Sequence, residues 1–82
     1  MGLTYEKRKE LQRQLGNTIR KRRETLGVSH EWIAEMAGVP VEYVKLIESG
    51  DVSAPLAIRK IQDEIFYEQQ RRNAEIRSRQ YA

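Results

Sequence analysis

Few residues of this chain are of the types that carry out catalytic or metal chemistry. It contains no cysteine and a single histidine, His30, so no cysteine nucleophile and no second histidine ligand accompany it. A catalytic site needs a convergent set of acid, base and nucleophile. We therefore expect no enzymatic activity, no metal and no cofactor, and we expect function to lie in recognition by charge and shape.

Charge is unevenly distributed along the chain. The net charge is +3 and the isoelectric point is about 9.4, which weakly favours a polyanionic partner. Residues 1–30 carry eight basic and three acidic side chains, a net charge of +5. Residues 31–68 carry three basic and eight acidic ones, a net charge of −5, and residues 69–82 carry four and one, a net charge of +3. Both ends are basic, whereas the middle is acidic.

The clearest structural pattern spans residues 30–50, where apolar residues recur at helical spacing on both sides of a glycine. The apolar positions are Ile33, Ala34, Ala37, Val39, Val44 and Ile47. Steps of three and four indicate a buried face on each of two short helices. Gly38 supplies the positive φ that a tight turn between them needs. This spacing is typical of a helix-turn-helix, a unit whose second helix often lies in the DNA major groove.

The other helices are predicted from capping residues, prolines and glycines. Thr4 is expected to cap a long first helix, in which Gly16 allows another helix to approach closely. Ser29 is expected to cap the second helix, Pro40 to begin the third and Pro55 to begin the fourth.

These elements predict an all-α fold, a small bundle of about five helices with extended first and last helices. The expected divisions are an N-terminal extension of helix one (1–14), a helix-turn-helix domain (15–66) and a basic C-terminal helical tail (67–82). The tail is polar and helix-prone and has few apolar residues, so we expect it to extend the last helix and fray, or to order only against a partner. No apolar run approaches the roughly 18 residues of a membrane span, and the N-terminus lacks a signal-peptide core. We therefore expect a cytoplasmic protein without membrane contact.

From Leu15 to about Ile65 the chain resembles the phage-repressor and Cro-type helix-turn-helix family, also described as xenobiotic-response-element-like. The residues that carry the resemblance are Arg23, Gly27, Ser29, Ile33, Ala34, Gly38, Val39, Val44, Ile47, Glu48 and Gly50. The resemblance implies a lambda-repressor-like arrangement of helices. It also implies a largely buried ion pair between Arg23 and Glu48, which would explain an arginine on the apolar stripe of helix one.

The resemblance further implies where DNA would be contacted. The implied positions are Ser29, His30, Val41, Glu42, Tyr43, Lys45, Leu46 and Ser49. Three of these positions differ from the family, which commonly has polar or basic residues where this chain has Val41, Glu42 and Leu46. Val41 and Leu46 are suited to thymine methyl groups, and Glu42 to a cytosine amine. We therefore expect phosphate contacts to come from helix one, a protonated His30, Lys60 and the C-terminal arginines.

Trp32 and Met36 are also unusual, because they are large apolar residues that the resemblance places on the outward side of helix two. Exposed apolar groups of this size usually mark interaction surfaces, so one interpretation is a protein interface at these residues. In another, the first or last helix folds back over Trp32 and makes it part of the core. A third interpretation leaves Trp32 as an isolated exposed ring.

Two classes of function compete. The helix pattern, small size and basic ends favour a sequence-specific transcriptional regulator that binds double-stranded DNA as a homodimer, which would account for the long last helix. The acidic middle and the apolar third helix favour a helix-turn-helix domain used as a protein-binding module, such as an anti-repressor or adaptor, with weak or no DNA binding. Its partner would be held through Trp32 and Met36 or through the C-terminal helix. Non-specific nucleic-acid binding is a third, lesser alternative.

Overall fold

A computed structural model describes residues 4–80, which form four α-helices joined by short connections. They are α1 (Tyr5–Leu26), α2 (His30–Ala37), α3 (Val41–Ser49) and α4 (Pro55–Gln80). The all-α prediction is confirmed for this range, which contains no strand. Residues 1–3 and 81–82, at the ends of the predicted extension and tail, lie outside it. Within residues 4–80, no helix combines the length and apolar character that a membrane crossing requires.

The expected count of about five helices is wrong for the described range, because α4 is continuous. No glycine or proline occurs between Leu56 and Gln80 to interrupt it, and the arginine, glutamate, glutamine and alanine of this segment are good helix formers. The tail is therefore the second half of α4, which extends the last helix as expected as far as Gln80.

The other helix ends lie close to the positions that capping residues predict. Thr4 Oγ1 accepts a hydrogen bond from the backbone N–H of Lys7 (3.2 Å), and Ser29 Oγ accepts one from that of Trp32 (3.0 Å), which satisfies donors that a helix start leaves free. Pro40 precedes α3 in an extended conformation instead of beginning it. The first three helices end at glycines with positive φ, namely Gly27, Gly38 and Gly50.

The hydrophobic core lies between α1, α2, α3 and the first half of α4. Its buried apolar side chains are Ile19, Ile33, Ala34, Ala37, Val44, Ile47, Ile61 and Ile65. All four helices contribute to it, and α3 packs on both α1 and α2. Helices as short as α2 and α3 are marginal in isolation, so their geometry depends on this core.

α1 and α3 are in direct backbone contact at Gly16. A Cβ atom added to Gly16 would overlap the carbonyl oxygen of Ile47 and would lie 2.7 Å from the carbonyl oxygen of Glu48. Only glycine fits there without displacing α3. The close contact between α1 and α3 that it allows outweighs the destabilisation of about 1 kcal/mol that glycine causes inside a helix. The expected close helix approach is confirmed, and it fixes the C-terminal half of α3 against α1.

One arginine connects the second half of α4 to α1, and a neighbouring ion-pair group lies within α4 itself. Arg72 donates a hydrogen bond to the carbonyl oxygen of Leu26, the last residue of α1. Arg71 and Arg72 both bind the carboxylate of Glu68, with Nε–O distances of 2.9 and 3.2 Å. The hydrogen bond from Arg71 is the largest of the interactions that hold the pKa of Glu68 below its ordinary value.

Candidate nucleic-acid interface

A cluster of three charged or polar side chains lies where α1, α2 and α3 meet. Arg23 Nε donates to Glu48 Oε2 at 2.8 Å, and Arg23 Nη2 donates to Glu48 Oε1 at 3.1 Å. Arg23 Nη1 also donates to the carbonyl oxygen of Val28 at 3.0 Å. His30 Nε2 lies 3.1 Å from Glu48 Oε1. The side chain of Glu48 is 5% exposed, so this carboxylate is removed from water and both of its oxygens are bound.

This cluster ties α3 to the two preceding helices through one side chain. The structure brings Arg23 and Glu48 together, as the resemblance implies, in the two-pronged geometry that arginine and carboxylate favour. The part played by His30 was not anticipated, since its contact with Glu48 joins residues 18 positions apart. A histidine at the first position of α2 is the available sequence signal, but its partner follows only from how α2 and α3 are placed.

The opposite side of α3 is open to solvent. We call it the α3 face, and it consists of Glu42, Lys45, Leu46 and Ser49, all exposed. Spacings of three, four and seven residues place these side chains on one surface of the helix. Val44, Ile47 and Glu48 are buried on the other side. The Ser49 hydroxyl lies 2.6 Å from Asp51 Oδ2 and 3.0 Å from the carbonyl oxygen of Leu46, so its proton is engaged within the protein.

Basic side chains of α1 border the C-terminal end of the α3 face. Arg13 and Arg20 line, together with Ser49, an open hollow of about 380 Å³ between the two helices. Arg13 is 3.4 Å from Glu10 and Arg20 is 3.6 Å from Glu24, in exposed pairs within α1. Such exposed pairs contribute little free energy, so both guanidinium groups are able to turn towards an anion.

The remaining residues that the resemblance assigns to DNA contact are dispersed. Ser29 is exposed and caps α2, whereas the Nε2 atom of His30 is directed at Glu48. Val41 is half-buried against the core, which leaves less of it available than expected. Tyr43 is exposed, but with Lys60 it lines a separate, mostly apolar groove of about 380 Å³ beside the start of α4. Only part of the expected set therefore lies on the α3 face.

Trp32 and Met36 differ in their surroundings. Trp32 is half-buried and packs against the core, whereas Met36 is 43% exposed. The interpretation that made Trp32 part of the core agrees with this placement. Trp32 is therefore more enclosed than the outward placement implies, whereas Met36 is as exposed as that placement implies.

Within residues 4–80, no three acidic, histidine or cysteine side chains are grouped closely enough to hold a metal ion. Comparisons of the chain with protein-family models, with curated proteins and with solved structures found no match.

Proposed function

We propose that this chain is a small sequence-specific DNA-binding regulator. In this proposal α2, the turn at Gly38 and α3 form a helix-turn-helix of the phage-repressor and Cro type, and the α3 face enters the major groove. The observation that carries the proposal is that α3 is anchored through Glu48 on one side and open on the other. Reading base edges requires a helix that is held firmly and presents free side chains. The role is binding, without catalysis.

The side chains of the α3 face match particular base edges. Lys45 is able to donate to guanine, Glu42 to accept from the amine of cytosine, and Leu46 to contact the methyl group of thymine. Each good contact of this kind contributes about 1–3 kcal/mol of discrimination against a wrong base pair. The α3 face therefore contributes sequence preference but little electrostatic affinity for DNA, because the charges of Glu42 and Lys45 cancel.

Phosphate contacts must then come from outside α3. Arg13 and Arg20 are the best placed, because they border the hollow that adjoins Ser49. Arg22 is also exposed on α1, but it lies beside Ile65 of α4, away from α3. The two sides of α1 thus provide arginines for a test and a matched control.

The experiment is a salt titration of duplex binding, followed by fluorescence anisotropy. Duplexes that cover the region upstream of the protein's own gene are the probes, and salt is raised from about 50 to about 200 mM. Each phosphate contact contributes about 0.9 to the slope of log K against log salt. Replacing both Arg13 and Arg20 by alanine is expected to reduce the steepness of the slope by about 1.8 for each bound copy, which is about 3.6 for a dimer, whereas Arg22→Ala leaves it unchanged.

Two outcomes would count against the proposal. One is the absence of any duplex binding at the lowest salt concentration. The other is a slope that responds to Arg22→Ala but not to the loss of Arg13 and Arg20, which would place the phosphates on a different side of α1.

We further propose that the active form is a homodimer. A two-fold dimer reads two half-sites about one turn of DNA apart, and both copies then contribute to affinity. Support for a dimer comes from α4, whose second half is exposed well beyond the residues that pack on the core.

A protein-binding module is the second candidate function, and a specific observation favours it. Tyr43 and Leu56 are 46% and 77% exposed and line the apolar groove between the α2–α3 turn and the start of α4. Apolar side chains around a groove are typical of protein interfaces. If no duplex is bound at low salt, this candidate becomes the better explanation, and Leu56→Lys is then the variant expected to abolish partner binding.

A further inference from the structure

One row of exposed side chains on α4 has an ordered charge pattern. The residues are four positions apart, namely Arg59, Asp63, Tyr67, Arg71 and Glu75, and all five are exposed. Side chains four positions apart form a continuous ridge along a helix surface. We call this row the α4 ridge.

The α4 ridge changes sign about its centre. A positive and then a negative side chain precede the uncharged Tyr67, and a positive and then a negative one follow it. In an antiparallel pair of α4 helices related by a two-fold axis at Tyr67, Asp63 lies opposite the partner's Arg71, and Arg59 lies opposite the partner's Glu75. A parallel pair in the same register would instead bring like charges together.

We propose that two copies of this chain associate through the α4 ridge, antiparallel and centred on Tyr67. Such ridges fit into the grooves beside the corresponding ridges of a second helix in the commonest class of helix contact, with axes crossing at about −50°. The two Asp63–Arg71 pairs, each one turn from the axis, then lie nearest the crossing point. This inference deepens the proposed function and rests on it for the use of the dimer on two half-sites, but the interface itself is testable without DNA.

Aromatic side chains at the centre of the ridge provide the apolar part of the contact. Tyr67 is 52% exposed and the adjacent Phe66 is 55% exposed. Their rings meet edge to face, with centroids 6.0 Å apart. Aromatic residues at the centre of an interface are frequent anchors of binding, and the mutual contact of these two already restricts their motion.

The existing ion pairs of α4 leave Arg71 free to change partner. The Glu68 carboxylate forms ion pairs with the guanidinium groups of both Arg71 and Arg72. Arg72 is also held by the carbonyl oxygen of Leu26. If Arg71 turns to Asp63 of the other copy, Glu68 keeps Arg72, and no charge loses its only partner.

Sedimentation of charge-reversed variants tests the interface. Asp63→Arg alone and Arg71→Asp alone each place like charges opposite one another in the homodimer. We expect each to weaken self-association at least about tenfold at low salt. An equimolar mixture of the two is expected to associate as well as the wild type, because both cross-pairs are then opposite in sign. Arg77→Asp makes the same charge reversal off the ridge and is expected to leave association unchanged.

A cysteine test fixes the position of the axis, since the natural chain has no cysteine. Tyr67→Cys is expected to form an intermolecular disulfide on mild oxidation, because two residues on a two-fold axis bring their Cα atoms within the range that a disulfide spans. Arg77→Cys is expected to cross-link far more slowly. Far-UV circular dichroism on every variant checks that it remains helical. Tyr67→Ala, which also lacks the ring, is expected to weaken the dimer without abolishing it, so oxidation of Tyr67→Cys still traps the associated fraction as a disulfide.

Specific results would overturn the interface. They are a wild-type chain that stays monomeric at about 1 mM, a mixture of the Asp63 and Arg71 variants that remains as dissociated as either alone, or equal cross-linking at positions 67 and 77. Duplex binding without such a dimer would overturn this inference alone. A dimer that behaves as described but binds no duplex would overturn the proposed function and leave the interface standing.

Discussion

Replacement of Arg23 by alanine tests how α3 is anchored. The substitution removes two hydrogen bonds to Glu48 and one to the carbonyl oxygen of Val28. It leaves the Glu48 carboxylate, with a side chain 5% exposed, in contact with His30 alone. Removing one member of a buried pair typically costs about 3–5 kcal/mol, because the other charge is stranded. Since His30 remains beside it, we expect the lower end of this range, about 3 kcal/mol.

Urea unfolding followed by far-UV circular dichroism measures this loss, with Arg22→Ala as the control. Arg22 is exposed on the same helix, so its removal should change the free energy of unfolding by no more than about 0.5 kcal/mol. For a domain of this size, about 3 kcal/mol corresponds to a fall in Tm of roughly 12–24 °C. That is a large part of the total stability of such a domain, so the measurement is best made at low temperature.

A double variant distinguishes a stranded charge from lost packing. Arg23→Met combined with Glu48→Leu removes both charges and retains most of the side-chain volume. We expect it to be more stable than Arg23→Ala, because replacing both members of a buried pair is often nearly neutral. The reasoning is refuted if Arg23→Ala is no more destabilising than Arg22→Ala, or if the double variant is the least stable of the three.

Two further predictions concern α1 and α4. Gly16→Ala should lower the free energy of unfolding by about 1–3 kcal/mol in the same urea assay, because the new Cβ meets the backbone of α3, whereas Thr18→Ala at an exposed position of α1 should change it little. A normal stability for Gly16→Ala would contradict the backbone contact. Arg71 and Arg72 lower the pKa of Glu68 in the folded state. The ionised Glu68 carboxylate should therefore stabilise the fold above its unfolded pKa of about 4.3, and this stabilisation should be lost as pH falls through the folded-state pKa. Urea titrations across this acidic range should therefore show a shallower decline for Glu68→Gln than for the wild type, and identical declines would contradict the assignment.

Local signals in the sequence were sufficient for most helix ends and for the fold class. Thr4 and Ser29 cap helices through their own side chains, and Gly38 ends one through its own φ, so each acts on atoms nearby in the chain. The contact between Arg23 and Glu48 is not local, and it was expected only because a family resemblance supplied the arrangement of the helices.

What the sequence did not predict depends on how the helices are placed relative to one another. The contact of His30 with Glu48 and the partial burial of Trp32 both depend on how α2 is positioned against the other helices. The hydrogen bond from Arg72 to the carbonyl oxygen of Leu26 was also not predicted, because it joins residues 46 positions apart. The tail contains few apolar residues, but its helix-forming composition was sufficient to predict that it extends the last helix.

The position of Glu48 on α3 divides the helix into a side that maintains the fold and a side that is free to vary. Glu42, Lys45, Leu46 and Ser49 face away from the cluster, and exposed substitutions of this kind usually alter stability by no more than about 0.5 kcal/mol. A library randomised at these four positions should therefore yield mostly folded proteins. The molecule offers a small scaffold whose binding preference can be redesigned independently of its core.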